Sequence, residues 1–302
     1  MIRSAPEAGL FCSLERNLEM KITIGLTTWK EHQALIKAAR PVTLREYAQH
    51  LPVVEVDTFF YALPRLSTVQ AWLGEVTPAF QFIVKAHQAM TKHPQAQLPA
   101  GQTLAELFGQ FRQVISPLVA AGQLKAILFQ FPPTFTALPA NIEYLMQIRR
   151  WLPKLPLAVE FRHQSWFKTG VRQSLINYCQ ELGLILVAAD EPHQLPAGVP
   201  FVLATTNPRL ALLRLHGRNS AGWQHTGADW RAKRTLYSYS AQELAELGAA
   251  ITSLQPAPAE VCVIFNNNSG GDAAPNALAL RDYLGLHFTG LVPPDPEQLD
   301  LF

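Results

Sequence analysis

The stretch LKAILFQFPPTFTALPANIEYLMQIRRWLPKLPLAVEFR, residues 124–162, reads as one strand–helix–strand unit. An apolar run, Leu124–Phe129, stops at Gln130; a helical pattern follows over Ile142–Leu152; a second run, Leu157–Val159, stops at Glu160 and Arg162. Strands of a parallel sheet are buried on both faces, so they are continuously apolar where a half-exposed strand would alternate. Working outward, the same kind of run recurs at Ile22–Leu26, Val53–Val56, Phe80–Val84, Leu184–Ala189, Ala211–Leu215 and Val261–Phe265, eight in all. Polar residues close these runs: Thr27–Thr28, Glu55 with Asp57, Lys85, Asp190, Arg214 with His216, and Asn266–Asn268. Eight such strands with helical stretches between them predict an α/β fold, a single (β/α)8 TIM-type barrel. In that fold ligand sites gather at the strands' C-terminal ends.

Bulk properties agree. The chain has 302 residues, 48% hydrophobic and 16% charged, enough for one large core. A net charge of +2 gives no whole-molecule field for polyanions, so nucleic-acid contact would need a local basic patch. Cys12, Cys179 and Cys262 are odd in number and lack metal-site spacing, which reads as reduced thiols of a cytoplasmic protein. No stretch approaches the roughly 20 apolar residues of a membrane span. Met1–Glu19 carries Arg3, Glu7, Glu15 and Arg16 without an apolar core, so it reads as a disordered or non-native extension, not a signal peptide. The barrel domain is expected over 20–288, followed by a flexible tail over 289–302.

Helical patterns fill most crossovers: Leu44–Leu51, Thr68–Val76 with Ser67 as a cap, Leu104–Ala121, Ile142–Leu152 with Asn141 as a cap, Val171–Leu182, Leu244–Leu254 and Asn276–Leu284. Ser240 with Glu243 is a capping-box signature. The barrel is expected to be irregular after strands six and seven. Glu191–Pro208 is proline-rich, and Gly217–Tyr239 is long and holds Trp223, Trp230 and Arg234.

Residues two apart on a strand share a face. Glu55 with Asp57, Lys85 with His87, Glu160 with Arg162, and Arg214 with His216 therefore form same-face polar pairs at the barrel mouth. Glu55, Asp57, Lys85, Glu160, Asp190 and His216 are the catalytic candidates. Carboxyls pushed apart in pKa supply a general acid and base. Lys85 could stabilise an anion or, desolvated, act as a Schiff-base amine. The carboxylates with His216 could also hold a divalent metal, although no tight ligand motif exists. Ligand-binding candidates are Trp29, Tyr61, Gln130, Arg162, Trp166, Arg214, Arg218, Asn266 and Gly270. Arg214 and Arg218 with the Ser269–Gly271 turn lie where many barrels bind phosphate, although a glycine-rich turn satisfying its own backbone reads equally well. Trp29, Tyr61 and Trp166 could wall a sugar pocket.

These motifs also occur together in a known family. IGLTTW (24–29), VEVDTFFYALP (54–64), FIVKA (82–86), FQFPP (129–133), VEFRHQSW (159–166), RLHGR (214–218) and FNNN…NA (265–277) resemble, in order, the domain-of-unknown-function 72 (YecE-like) family. That family is similar to barrels of the sugar-isomerase and apurinic-endonuclease type, so the resemblance implies a barrel fold. The family usually has asparagine where this chain has Asp57, and glycine at the turn where it has Thr27–Thr28.

The end of the chain carries a separate signal. VPPDPE (292–297) reads as a spacer leading to QLDLF (298–302), which resembles the motif by which bacterial replication and repair proteins dock on the DNA sliding clamp. Gln298, Leu299, Leu301 and Phe302 would fill the clamp's pockets. The expected function is a barrel enzyme, a phosphodiesterase-like hydrolase acting on a small phosphorylated or sugar ligand by acid–base or metal-assisted chemistry, with clamp recruitment to DNA. The alternative is a non-catalytic barrel that binds a metabolite or nucleic acid.

Overall fold

A computed structural model describes residues 20–98, 101–194, 198–227 and 229–294. The expected extension (1–19), Cys12 and the docking pentapeptide (298–302) therefore lie outside the described residues. The eight apolar runs appear as nine parallel strands: β1 (Lys21–Thr27), β2 (Val53–Val56), β3 (Gln81–Lys85), β4 (Leu124–Gln130), β5 (Leu157–Glu160), β6 (Ile185–Leu186), β7 (Ala188–Asp190), β8 (Ala211–Leu215) and β9 (Glu260–Phe265). Their order is β6-β5-β4-β3-β2-β1-β9-β8-β7. β6 and β7 are two halves of the sixth run, broken at Val187. The first half pairs with β5 and the second with β8, so this one segment joins both edges and closes the barrel.

Strand parity sorts the core. Val53, Ile83, Ala126, Leu128, Ala158, Ile185, Val187, Leu212, Cys262 and Ile264 form one buried cluster that fills the lumen. Their neighbours, among them Val54, Phe82, Ile127, Phe129, Val159 and Leu213, belong to the larger cluster packed under the helices. On β1 the lumen position is Gly25, where a Cβ would lie 2.2 Å from the Val53 carbonyl oxygen. Only glycine lets β1 and β2 approach this closely. Burial pushes the Cys179 and Cys262 thiols up to about 12, which keeps both protonated.

Helices α1 (Leu44–Tyr47), α2 (Leu66–Glu75), α3 (Leu104–Ala120), α4 (Pro139–Trp151) and α5 (Arg172–Glu181) cover the outside of the first strands. The described part of the β7–β8 connection has no helix, as its prolines predict. After β8 the insertion forms two short helices, α6 (Ser220–Gln224) and α7 (Trp230–Arg234), before α8 (Ala241–Thr252); α9 (Ala273–Tyr283) follows β9. The Ser240–Glu243 capping box forms, and two more close α1 and α3 through Thr43–Glu46 and Thr103–Glu106. Two expected caps are corrected. Ser67 lies inside α2, and Asn141 lies in the first turn of α4, where its Nδ2 donates to the Thr136 carbonyl.

At the N-terminal face of the strands, Lys125 pairs with Glu260 at 2.5 Å. A cavity of about 740 Å³ opens on that face, beside Arg149, which donates to the carbonyls of Leu152, Leu155, Leu182 and Gly183. Charge pairing at this end reads as stability, since barrel chemistry belongs to the other. The boundary expected at 288 moves outward. Val292 is buried and its N–H donates to the Ala48 carbonyl at 3.0 Å, while Thr77 donates to the Gly290 carbonyl. The chain is thus held to the barrel through Val292. Among the described residues no helix is long and apolar enough to cross a membrane.

Candidate active site at the barrel mouth

The polar layer at the mouth continues the apolar lumen layer by strand parity. Above Val53 stands Glu55, above Ile83 Lys85, above Leu128 Gln130, above Ala158 Glu160, above Leu212 Arg214, and above Ile264 Asn266. Each of these strands therefore delivers a polar side chain inward just beyond its apolar residue, and unlike charges meet.

Arg214 is the hub. It is 1% exposed, and its guanidinium spans the lumen. Nε and Nη2 donate to the two Glu55 oxygens at 2.7 and 2.6 Å, and Nη1 donates to Glu160 Oε2 at 2.5 Å. The other Glu160 oxygen accepts from Gln130 Nε2 (2.7 Å), Arg162 Nη1 (3.0 Å) and His216 Nε2 (3.0 Å). Burial alone would raise the Glu160 pKa, but the surrounding cations and donors hold it well below the carboxylate range. Glu160 is therefore a fixed anion. Asn266 Nδ2 donates to His216 Nδ1 at 2.8 Å, which leaves the ring proton on Nε2, facing Glu160. Burial, reinforced by Arg162 and Arg214, lowers the His216 pKa to about 3, so the ring is neutral at physiological pH.

Arg162 reaches outward from this core. Its Nη2 lies 2.8 Å from Glu191 Oε2, close enough for an ion pair but not aligned for a hydrogen bond. The other Glu191 oxygen accepts from the Val199 N–H at 2.8 Å. Desolvation outweighs Arg162 and pushes Glu191 up to about 7. Arg162 and Arg234 both lie over the Trp223 ring, at 4.9 and 4.8 Å, so the inserted helices α6 and α7 dock on the mouth through stacked cations. Glu191 was not among the sequence candidates. It shares a face with Ile185, Val187 and Ala189, and that parity was the signal that could have found it.

Lys85 and Asp57 differ from all these groups. Neither side chain has a hydrogen bond or ion pair among the described residues. Lys85 Nζ sits 4.6 Å from the centroid of the Phe60 ring. Desolvation, with Arg214 adding to it, lowers Lys85 to about 8 against the pull of Glu55, Asp57 and Glu160. Asp57 opens the 3₁₀ turn Thr58–Phe60. Burial pushes its carboxyl up; Lys85 opposes this, while Glu55 and Glu31 add to it.

Several candidates stand elsewhere. Asp190 has the parity of Leu186 and Ala188, so it faces the helices instead of the lumen. Both its oxygens accept from Arg218 Nε at 3.0 Å, and Tyr239 donates to Oδ2 at 2.6 Å. This outer pair fastens the insertion, and the expected place of Asp190 in the mouth is corrected. Gly270 and Arg218 are likewise not an open phosphate cradle. A Cβ on Gly270 would lie 2.4 Å from Asp272 Oδ2, so the chain's own carboxylate fills that turn. Trp166, read as a pocket wall, is 2% exposed; it stacks on Phe161 at 4.2 Å and donates from Nε1 to the Phe135 carbonyl. Trp29 is half-buried edge-on to Trp72, and Tyr61 is 58% exposed beside Phe60. No group of three or more metal-ligating side chains forms among the described residues. The oxygens of Glu55 and Glu160 that a cation would use accept from Arg214, Gln130, Arg162 and His216.

With that geometry in place, comparison with known proteins is direct. The model of the family described as "Protein of unknown function DUF72" matches residues 23–299. The chain belongs to the DUF72 family. The UPF0759 protein YunF of Bacillus subtilis is 38% identical over 285 residues, covering 93% of this chain and 100% of that one. The UPF0759 protein YecE of Escherichia coli is 30% identical over 162 residues, 52% of this chain and 54% of that protein. A crystal structure of a DUF72 family protein from Enterococcus faecalis matches with a TM-score of 0.86 at 40% identity, covering 92% of this chain and 100% of the other. The expected YecE-like membership and the barrel fold are both borne out. In this DUF72 barrel the turn after β1 places Thr28 at φ 58° with its hydroxyl buried and unpartnered. A β-branched residue is strained there, where glycine would be at ease.

Proposed function

We propose that the barrel mouth is the active site of an enzyme that acts on a small, hydroxylated, sugar-like ligand by acid–base catalysis. Asp57 gives and takes the proton, and Lys85 is the second working group near it. One observation carries this reading: Glu55, Glu160 and Arg214 around Asp57 and Lys85 are consumed in mutual pairing, whereas these two have no hydrogen bond or ion pair among the described residues, with pKa values moved toward neutrality. An efficient general acid or base has a pKa near the working pH. Glu160 and His216, held far from neutrality, serve as rigid walls. The rings of Tyr61 and Trp29 beside the mouth suit a sugar ring. A phosphate is disfavoured, because Arg214 and Arg218 already face carboxylates of their own chain.

Calorimetry and turnover assays of the full chain against a panel of mono- and disaccharides test this reading. For the sugar that is turned over, Asp57→Asn should lower the rate by about 10²–10⁴-fold with binding retained. Binding without turnover in the wild type would make the barrel a non-catalytic receptor; no binding to any sugar would discard the reading.

We also propose that Gln298–Phe302 docks on the DNA sliding clamp and brings the barrel to DNA. Supporting this, the chain is held at Val292 beside the ends of α1 and α2, on the face opposite the mouth, so docking would leave the site open. Deletion of Gln298–Phe302 should abolish clamp binding measured by calorimetry. Equal affinity of the two forms, or none in the intact chain, would refute it.

A further inference from the structure

We infer that Lys85 is a covalent nucleophile whose amine forms an imine with an aldehyde or ketone carbonyl of a small hydroxylated ligand, such as an open-chain sugar. This gives the acid–base reading above a substrate class and rests on it for the ligand's place.

The geometry is specific to this lysine. Lys85 ends β3 on the lumen face, where barrels do their chemistry. Three carboxylates surround it, and any of them could have held it as a permanent ammonium. Arg214 takes both oxygens of Glu55 and one of Glu160, while Gln130, Arg162 and His216 take the other. Asp57 remains, near enough to be felt electrostatically but not paired. The amine instead lies against the Phe60 ring. Desolvation and the Arg214 cation keep a useful fraction as free base at neutral pH. A lysine activated by an apolar wall and a neighbouring cation is a known route to an amine nucleophile.

The step balances without any further reagent. The Lys85 nitrogen lone pair adds to the carbonyl carbon, and the carbonyl oxygen takes a proton from Asp57, forming a carbinolamine. Asp57 recovers a proton from the nitrogen and returns it to the hydroxyl, which leaves as water as the C=N bond forms. The protonated imine then gives its remaining N–H proton to Asp57, so amine plus carbonyl gives imine plus water and Asp57 ends as it began.

Reductive trapping on the full chain tests the assignment. The protein is incubated at pH 7.5 with D-glyceraldehyde, and in parallel with dihydroxyacetone, in the presence of sodium cyanoborohydride, whose hydride converts the imine to a stable secondary amine. Peptide mass mapping then gives a rate for each lysine. Lys85 should be labelled at least about tenfold faster than the exposed Lys30 and Lys154. Asp57→Asn should slow Lys85 and leave Lys30 unchanged. Lys85→Met removes a desolvated charge, so it should fold, and should lose only the fast label. Labelling of Lys85 no faster than Lys30 with both probes overturns the assignment. If Asp57→Asn nonetheless abolishes sugar turnover, the acid–base site stands without the imine; if sugars neither bind nor label, both fall.

Discussion

Arg214→Met should lower the unfolding free energy by about 3–5 kcal/mol, the usual consequence of leaving a buried charge without its partner. Here two carboxylates, Glu55 and Glu160, are fully buried, and three of their four oxygens accept from this one guanidinium. Methionine fills much of the volume, so the loss reports charge more than cavity. Guanidinium denaturation of the two proteins measures it directly. Adding Glu55→Gln and Glu160→Gln to the variant should recover part of the stability, since neutral amides remove the uncompensated anions. A loss below about 1 kcal/mol, the range of exposed pairs, would show that water reaches these carboxylates and that the mouth is not a dry network.

Acid should destabilise the protein as the unfolded chain's His216 takes up its proton. Its pKa falls from 6.5 to about 3 on folding. The unfolded chain therefore takes up a proton below pH 6.5 that the folded chain refuses until about pH 3. The contribution is fully present above 6.5 and is lost as pH falls through that window, on the order of 4 kcal/mol at its foot. Glu160 acts in the same direction at lower pH, because its depressed pKa contributes stability that is present above its ordinary value of 4.5 and is lost in stronger acid. Glu191, raised from 4.5 to about 7 on folding, opposes this fall equally with or without His216, so wild-type unfolding free energies from pH 7.5 to 4 are compared with those of a variant. They should fall less for His216→Gln, which has no proton to take up. Parallel slopes for the two proteins would show that His216 is not held neutral.

Much of the site was legible from strand parity alone. Glu55, Lys85, Glu160, Arg214 and Asn266 each stand two residues beyond a lumen residue, and the structure brings them together. Asp190 and Glu191 show where the same rule was not applied strictly. Counting from Ile185 and Val187 puts Glu191 inside and Asp190 outside, yet the end of the apolar run drew attention to Asp190. Trp166 depends on its neighbours for a different reason. A tryptophan after a strand can wall a pocket or seal the core beneath it, and only its neighbours Phe135 and Phe161 decide.

By itself, the sequence determined the eight-stranded barrel, the end of it that bears polar groups, and the family. These follow from local composition and period, which every stretch of chain carries with it. Only the tertiary structure decided which charges are spent on one another. Arg214 could have bound a ligand phosphate, and Lys85 could have been the partner of Glu55. Pairing depends on distance and desolvation among residues from five different strands, and those are set when the sheet closes. Closure gave Arg214 to the glutamates and left Lys85 and Asp57 facing the opening.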